Sequence, residues 1–375
     1  MKISSRIVTI ERTPIFYGKE SISSIDRVVN ALKPSGTYIL VDRNTREYCL
    51  PLLLEKSVAL VQAQIIETGD GETAKSLENA ERLWNELLAS GADRSGLIIN
   101  LGGGVVTDLG GFVAAGFNRG INYINIPTSL IGQSDAAIGG KTAVNLGRIK
   151  NQVGFFHPAK AIFIYPGFLK SLPEQHLRSG LAEIIKSTLI SDAAKWRRLL
   201  KYPLRMLLDL PVDSKLWQNL IFNAVNFKNK VVTHDFRERK HRKILNFGHT
   251  IGHALEAYAH SGAVKPLIHG DAVAIGMICA SYLSHRKTGL ELNDLESITR
   301  YLVDGFPSFP IETLSLPAVM ELMKHDKKKS NGHIRFTLLS KPGHPLINMP
   351  CEPEEILEAL EYYNTILNGS TTFSA

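Results

Sequence analysis

Residues 96–111 read GLIINLGGGVVTDLGG. Gly96 to Leu101 is an apolar run of the kind buried on both faces of a parallel sheet. It passes without a linker into Gly102, Gly103 and Gly104, and then into a segment of helical character. A strand, a glycine turn and a helix N-terminus in that order let backbone N–H groups approach a pyrophosphate, whose charge the helix dipole favours. The competing reading is a plain tight turn. The run is not a strict G-x-G-x-x-G, because Thr107 stands at the third glycine position, and no acidic residue closes the next strand. An α/β nucleotide site is expected, but the motif does not assure a standard Rossmann crossover.

Toward the N-terminus, Thr37 to Val41 predicts a buried strand that ends in the turn-forming cluster Asp42, Arg43, Asn44. Residues 63–66 predict a second strand, followed by the loop TGDGETAK and a helix from Leu77 to Leu88. Glu72 and Lys75 in that loop fit an exposed pair or a grip on ribose or phosphate at a strand's carboxyl end. Toward the C-terminus, a strand at residues 122–126 leads to Thr128, Ser129 and Asp135, and then to GGKTAVN at 139–145. The GGKT tetrad resembles the end of a Walker A loop. Asp135 occupies the place of that loop's first glycine, so an ATP-hydrolysing P-loop is set aside.

Beyond Pro166, Gly167 and Pro173, strand-like runs become scarce, and the expected boundary separates residues 1–175 from 176–375. Glu183 and Lys186 fall at i,i+3 on a predicted helix, the spacing of an ordinary salt bridge. Residues 237–256, RERKHRKILNFGHTIGHALE, combine three histidines, His241, His249 and His253, with carboxylate, amide and cationic groups. His249 and His253 are at i,i+4, so a helix there presents both on one face, where they suit a divalent metal or are simply solvent-facing. Thr250 rules out H-E-x-x-H. His269 opens a further apolar helix, and residues 325–329, HDKKK, read alone as a solvated charge run.

The chain has 375 residues, more than one core usually organises, so two domains are expected. No uninterrupted apolar run of about 18 residues occurs, and the N-terminus lacks the apolar centre of a signal peptide. Three widely spaced cysteines, Cys49, Cys279 and Cys351, point to a reducing compartment, with the cytoplasm as the default and no membrane partner. The net charge of +7 and pI near 9.1 allow nucleic-acid binding. The cations are scattered, with no basic tail or aromatic ladder, so a small anionic substrate uses that charge better than nucleic acid does.

Six motifs in fixed order resemble the 3-dehydroquinate synthase family. They are GDGETAK (69–75), LGGGVVTDL (101–109), GGKTAVN (139–145), LAEIIK (181–186), LNFGHTIGHALE (245–256) and HGDAVAIGM (269–277). The resemblance spans roughly residues 35 to 340 and implies a Rossmann-like α/β NAD-binding domain, an all-α C-terminal domain, and an active site in the cleft between them. It implies that Glu183, His249 and His269 bind zinc or cobalt, with His253 handling a proton or substrate. NAD contacts carry over to Asp42, Asn44, Asp70, Gly71, Glu72, Lys75, Gly103, Gly104, Val105, Asp108, Thr128, Ser129, Asp135, Lys141 and Lys150, with Phe168 and Ser171 nearby. Catalytic roles carry over to Lys141, Lys186, Lys228, Glu238, Arg242, Asn246 and His253, and substrate contacts to Arg119, Lys150, Asn151, Lys327 and Lys328.

The implied reaction belongs to the shikimate pathway of aromatic amino acid biosynthesis, on a phosphorylated sugar acid, by NAD-dependent oxidation, phosphate elimination, reduction, ring opening and aldol closure. A lyase that is often a homodimer is implied. The chain departs from the family pattern at Ser129 and Ser171 (threonine is common), Asp271 (glutamate), Tyr165 (an acidic residue), and Lys240 and His241 (Gly-Leu). The first of that last pair raises the question of whether the loop needs glycine. Other readings are a different sugar phosphate cyclase, making 2-deoxy-scyllo-inosose or an epi-valiolone, and a metal-dependent polyol dehydrogenase.

Overall fold

The computed structural model describes residues 6–10, 13–147, 149–260, 266–311, 316–325 and 334–369. The candidate substrate residues Lys327 and Lys328 lie outside them. The chain divides into two compact units: residues 1–180 with 211–237, and residues 181–210 with 238–375.

Among the described residues, the N-terminal unit carries nine strands. They are β1 (Arg6–Ile10), β2 (Thr13–Tyr17), β3 (Thr37–Val41), β4 (Gln64–Glu67), β5 (Leu97–Gly102), β6 (Asn122–Pro127), β7 (Lys141–Leu146), β8 (Ile149–Phe156) and β9 (Ala161–Ile164). Seven form one sheet in the order β1-β2-β9-β6-β5-β3-β4, parallel except for the β1–β2 pair, while β7 and β8 make a separate antiparallel hairpin. Every residue of β5 is buried, as an apolar run in the middle of a parallel sheet requires. Its neighbours β3 and β6 are nearly as dry, and each fully buried Leu or Ile there contributes roughly 1.5–3 kcal/mol.

Strand order reverses between β3 and β5: from β3 the chain steps outward to β4, and from β5 it runs the other way through β6 to β9. That reversal is the topological switch point where open α/β sheets bind ligands at the carboxyl ends of the strands. The helix Gly104–Gly116 begins there with Gly103 as its N-cap. Beside it, the helix Leu77–Ala89 is capped by Ser76, whose hydroxyl accepts from Asn79 N at 3.2 Å, and buries Ala80, Leu83 and Leu87.

The compact units differ from the boundary expected after residue 175 in two respects. The division falls after Gly180, within the helix Glu174–Ser191, and residues 211–237 belong to the N-terminal unit. The helix Lys215–His234 explains the second difference. Tyr17 Oη donates to Gln218 O at 2.5 Å, the Tyr17 and Phe222 rings lie 5.5 Å apart, and Trp217, Ile221 and Val225 are buried.

The C-terminal unit is built around the helix His269–Thr288, buried on nearly all sides, as a central helix must be when apolar residues surround it. Its buried hydroxyls, Ser281 and Ser284, donate to the carbonyls of Met277 and Ala280 four residues back. Gly289, with φ 81°, ends it in a left-handed cap after Arg286 and Lys287, cations that suit the negative end of the dipole. The helices His249–Tyr258, Leu292–Gly305 and Pro353–Leu367 pack against it. The unit is helical but not all-helical: β10 (Ile334–Lys341) and β11 (His344–Cys351) form an antiparallel hairpin on the same central helix.

Candidate functional site

In the C-terminal unit, Glu183 projects from the helix Glu174–Ser191, while His249 and His269 are the first residues of their helices. The two histidine-bearing helices come close because glycines line their crossing. A Cβ on Gly276 would stand 1.9 Å from Gly248 O, and one on Gly252 would stand 2.9 Å from Ala272 O. Gly248 also has φ 79°, the left-handed turn that starts the helix at His249.

Glu183 Oε1 lies 3.4 Å from His249 Nε2 and 3.3 Å from His269 Nε2. Tetrahedral zinc with ligands at about 2.0–2.1 Å has ligand–ligand edges of roughly 3.3–3.4 Å, so both separations fit one ion. The other ring nitrogens are engaged: His249 Nδ1 is 3.2 Å from Phe247 O, and His269 Nδ1 is 3.1 Å from Glu256 Oε2. In each ring Nε2 is thereby the nitrogen turned toward Glu183, the one a metal would take after losing any proton it carries.

Burial alone would raise the Glu183 carboxyl, but the Lys186 ammonium and His249 hold it well below the usual carboxylate range. Lys186, itself buried, pairs with Glu183 Oε2. Burial and Lys186 together lower His249, outweighing Glu183, and so favour the neutral imidazole a metal needs. Burial would also lower His269, yet Glu256 and Glu183 overcome it and push it up to about 10. His253 stays beside this group, its ring 5.0 Å from His249 and 5.8 Å from His269, but it is exposed and stands outside the Glu183 set. The i,i+4 pair read from spacing is therefore replaced by a pair of histidines 20 residues apart, plus a carboxylate.

Asn246 Nδ2 donates to Glu238 Oε1 at 2.8 Å, and Arg242 is buried in the turn between them. Lys240 has φ −137°, outside the left-handed region that favours glycine. The left-handed residue is Glu238, φ 54°.

The N-terminal unit gathers a second polar set. Lys75 bridges Asp108 and Asn151, while burial raises the Asp108 carboxyl against the pull of Lys75. Asn145, a motif residue with no role assigned from sequence, donates from Nδ2 to Glu72 Oε1 at 2.8 Å and accepts Asn151 N at 2.9 Å, while its own N–H donates to Lys75 O at 2.8 Å. Lys150 stands 3.9 Å from Glu72. Lys228 donates to Asp135 O at 2.7 Å and pairs with its Oδ1 at 2.8 Å, where residues 132–136 form a π-turn, a form frequent at functional sites. Sequence order had placed Lys228 with the C-terminal domain; the fold places it in the N-terminal unit.

At the switch point, Asp42 caps the short helix after β3 by accepting Thr45 N, and Asp70 accepts Arg43 N at 3.1 Å. Gly103, Gly104 and Val105 open the helix after β5, where first-turn N–H groups lack intrahelical partners and suit phosphate oxygens. Thr128 N donates to Gly102 O, and Ser129 Oγ accepts Gly132 N at 3.2 Å. Gly71 is left-handed, φ 68°. Asn44, Arg119 and Lys141 are exposed, and Arg119 is held at φ 67°. The Phe168 ring is packed in the core and edge-on to Tyr165, so only its backbone can meet a ligand. Ser171 Oγ donates to Phe168 O at 3.3 Å.

The comparisons with known proteins cover nearly all of this architecture. Residues 65–179 match the 3-dehydroquinate synthase N-terminal family, and residues 180–329 match the 3-dehydroquinate synthase C-terminal family. A 3-dehydroquinate synthase of Parabacteroides distasonis is 39% identical over 92% of this chain and 96% of its own. One from Bacillus cytotoxicus is 37% identical over 89% of each chain. Among solved structures, a 2-epi-5-epi-valiolone synthase of Streptomyces hygroscopicus with NAD+ and Zn2+ bound superposes with TM-score 0.81 and 26% identity, covering 97% of this chain and 99% of its own. A 2-deoxy-scyllo-inosose synthase complexed with carbaglucose-6-phosphate, NAD+ and Co2+ shares the fold, with TM-score 0.84 and 24% identity over 96% of this chain and 100% of its own.

Proposed function

This chain belongs to the 3-dehydroquinate synthase family, and we propose that it converts 3-deoxy-D-arabino-heptulosonate 7-phosphate to 3-dehydroquinate and inorganic phosphate, as a carbon–oxygen lyase of aromatic amino acid biosynthesis. The observation that carries this reading is the pair of 3.3–3.4 Å separations around Glu183, in a chain whose relatives of that activity align over about nine tenths of its length.

Glu183, His249 and His269 would hold zinc or cobalt, and the glycine-capped helix at the switch point would hold the pyrophosphate of NAD. When bound, the two supply charge stabilisation at a substrate hydroxyl and a reversible hydride acceptor. The chain's own groups account for the remainder. Arg119, Lys141, Lys150, Asn151, Lys186, Lys228 and Arg242 neutralise and orient a substrate bearing a carboxylate and a phosphate. Glu238 fixes the Asn246 amide at 2.8 Å, and so its orientation toward a polar substrate group. His253, exposed beside the metal set, is placed to take or return a proton. Lys327 and Lys328 would complete the anion contacts. We also propose a homodimer; the exposed apolar side chains Leu146, Ile149, Phe155 and Phe156 on the β7–β8 hairpin support it.

Asn145 would act here through the cofactor loop. Two side-chain hydrogen bonds of about 0.5–1.5 kcal/mol each hold Glu72 and Asn151. Asn145→Ala should weaken NAD binding by about tenfold in a fluorescence titration and change zinc content little. Unaltered NAD affinity would show that the loop is held by other means.

Phosphate release measured across a panel of sugar phosphates, with and without chelator, tests the function. Release from the heptulosonate, abolished by chelator and restored by zinc or cobalt, is expected. Preference for a hexose or heptose phosphate without the carboxylate would instead assign the chain to another cyclase.

A further inference from the structure

We infer that Glu256 is a positioning residue for the metal centre, orienting His269 by accepting a hydrogen bond from its Nδ1–H; this rests on the reading of Glu183, His249 and His269 as the metal-binding set. Glu256 lies three residues beyond His253, on the same helix as His249, yet its carboxylate is directed at a histidine on another helix. Its side chain is 5% accessible, and Oε2 stands 3.1 Å from His269 Nδ1. A buried carboxylate is costly unless it is hydrogen-bonded or paired, so its placement against an imidazole N–H calls for a role.

Two roles follow from the geometry. The contact fixes the tautomer, with hydrogen on Nδ1 and the lone pair on Nε2, the atom 3.3 Å from Glu183. It also fixes the ring's rotation: His269 is the first residue of its helix, where the backbone constrains the side chain least, and the Glu256 contact ties it to the neighbouring helix.

His253, Glu256 and His269 form another close group, in which Glu256 would be a ligand and His269 would bind through Nδ1. The Glu183 arrangement is favoured because it is the more buried and because both of its histidines have Nδ1 occupied, by Phe247 O and by Glu256.

Zinc affinity, measured by competition with a chromophoric chelator, tests the inference on wild-type full-length protein and on Glu256→Gln and Glu256→Leu. Loss of an outer carboxylate partner typically weakens metal binding by about 10–100-fold. Glu256→Leu should fall in that range and Glu256→Gln, which keeps an acceptor oxygen, below it. A merely structural role would lower the melting temperature of the metal-free protein and leave zinc affinity unchanged, which overturns the proposal. Failure of wild-type protein to bind zinc would instead remove the metal reading itself. Should the variants fail to fold, nitrogen-15 imidazole spectra of zinc-loaded wild-type protein still decide: His269 with a proton on Nδ1 and metal on Nε2 supports the assignment, and metal on Nδ1 refutes it.

Discussion

Glu183→Gln should weaken zinc or cobalt binding by more than about a hundredfold, beyond the loss typical of an outer partner, and should lower turnover by about a thousandfold. The turnover figure follows from several kcal/mol of charge stabilisation supplied by the ion, at about 1.4 kcal/mol per decade. The substitution keeps the size of the side chain and removes the one charge shared by His249, His269 and Lys186. It also leaves the buried Lys186 ammonium without its carboxylate partner, so the metal-free protein should melt lower than wild type. Metal content by mass spectrometry and turnover in saturating zinc report the two effects separately. A variant that retains one ion per chain and near-normal turnover would remove Glu183 from the centre.

Gly276→Ala should disrupt the same centre from a position that touches none of its ligands. The added methyl would sit 1.9 Å from the Gly248 carbonyl oxygen and 2.8 Å from Gly252 N. These are backbone atoms of the His249 helix and its cap, which cannot swing aside as a side chain can. The helices must separate, at a cost near the upper end of the usual 1–3 kcal/mol for overpacking, or roughly 5–10 °C for a unit of this size. The separation moves His249 relative to His269, so the stabilisation gained by adding zinc should shrink as well. Thermal melts with and without zinc separate the outcomes. A lower melting temperature with an undiminished zinc-induced shift would show that the crossing supports the fold but does not set the site.

This crossing marks where reading the sequence succeeds and where it stops. Strand β5, its glycine turn and the helix after it are visible because burial on both faces and helix entry leave local signatures in residues 96–111. The helix carrying His249 is visible for the same reason. Which histidines meet is a tertiary property: His253 is nearest in sequence, but Glu183 Oε1 lies between the Nε2 atoms of His249 and His269. Spacing alone pairs His249 with His253, whereas the joint order of several motifs groups it with His269 and Glu183, a set whose ligand atoms the fold brings together. Glycines 248, 252 and 276 were in those motifs, yet their purpose depends on which helices cross.

Other departures have similar causes. Amphipathic spacing marks residues 215–234 as a helix without saying which unit it covers, and Tyr17 and Asp135 decide that. The β10–β11 hairpin had a local signal, an apolar run followed by Pro342 and the left-handed Gly343, which the helical expectation for the second half obscured. Glu256 and Asn145 were overlooked because they act through other residues rather than through a recognisable ligand pattern.

In the proposed reaction, one metal set and one nucleotide site serve a cyclisation in which the oxidised cofactor is regenerated. Simultaneous recording of phosphate release and NADH absorbance, on zinc-loaded protein with catalytic NAD+ and the heptulosonate phosphate, tests it most directly. Many equivalents of phosphate per NAD+, with no lasting rise in NADH and with 3-dehydroquinate as the product, are predicted. NADH accumulating in step with substrate loss, and no phosphate released, would contradict the claim and identify a dehydrogenase.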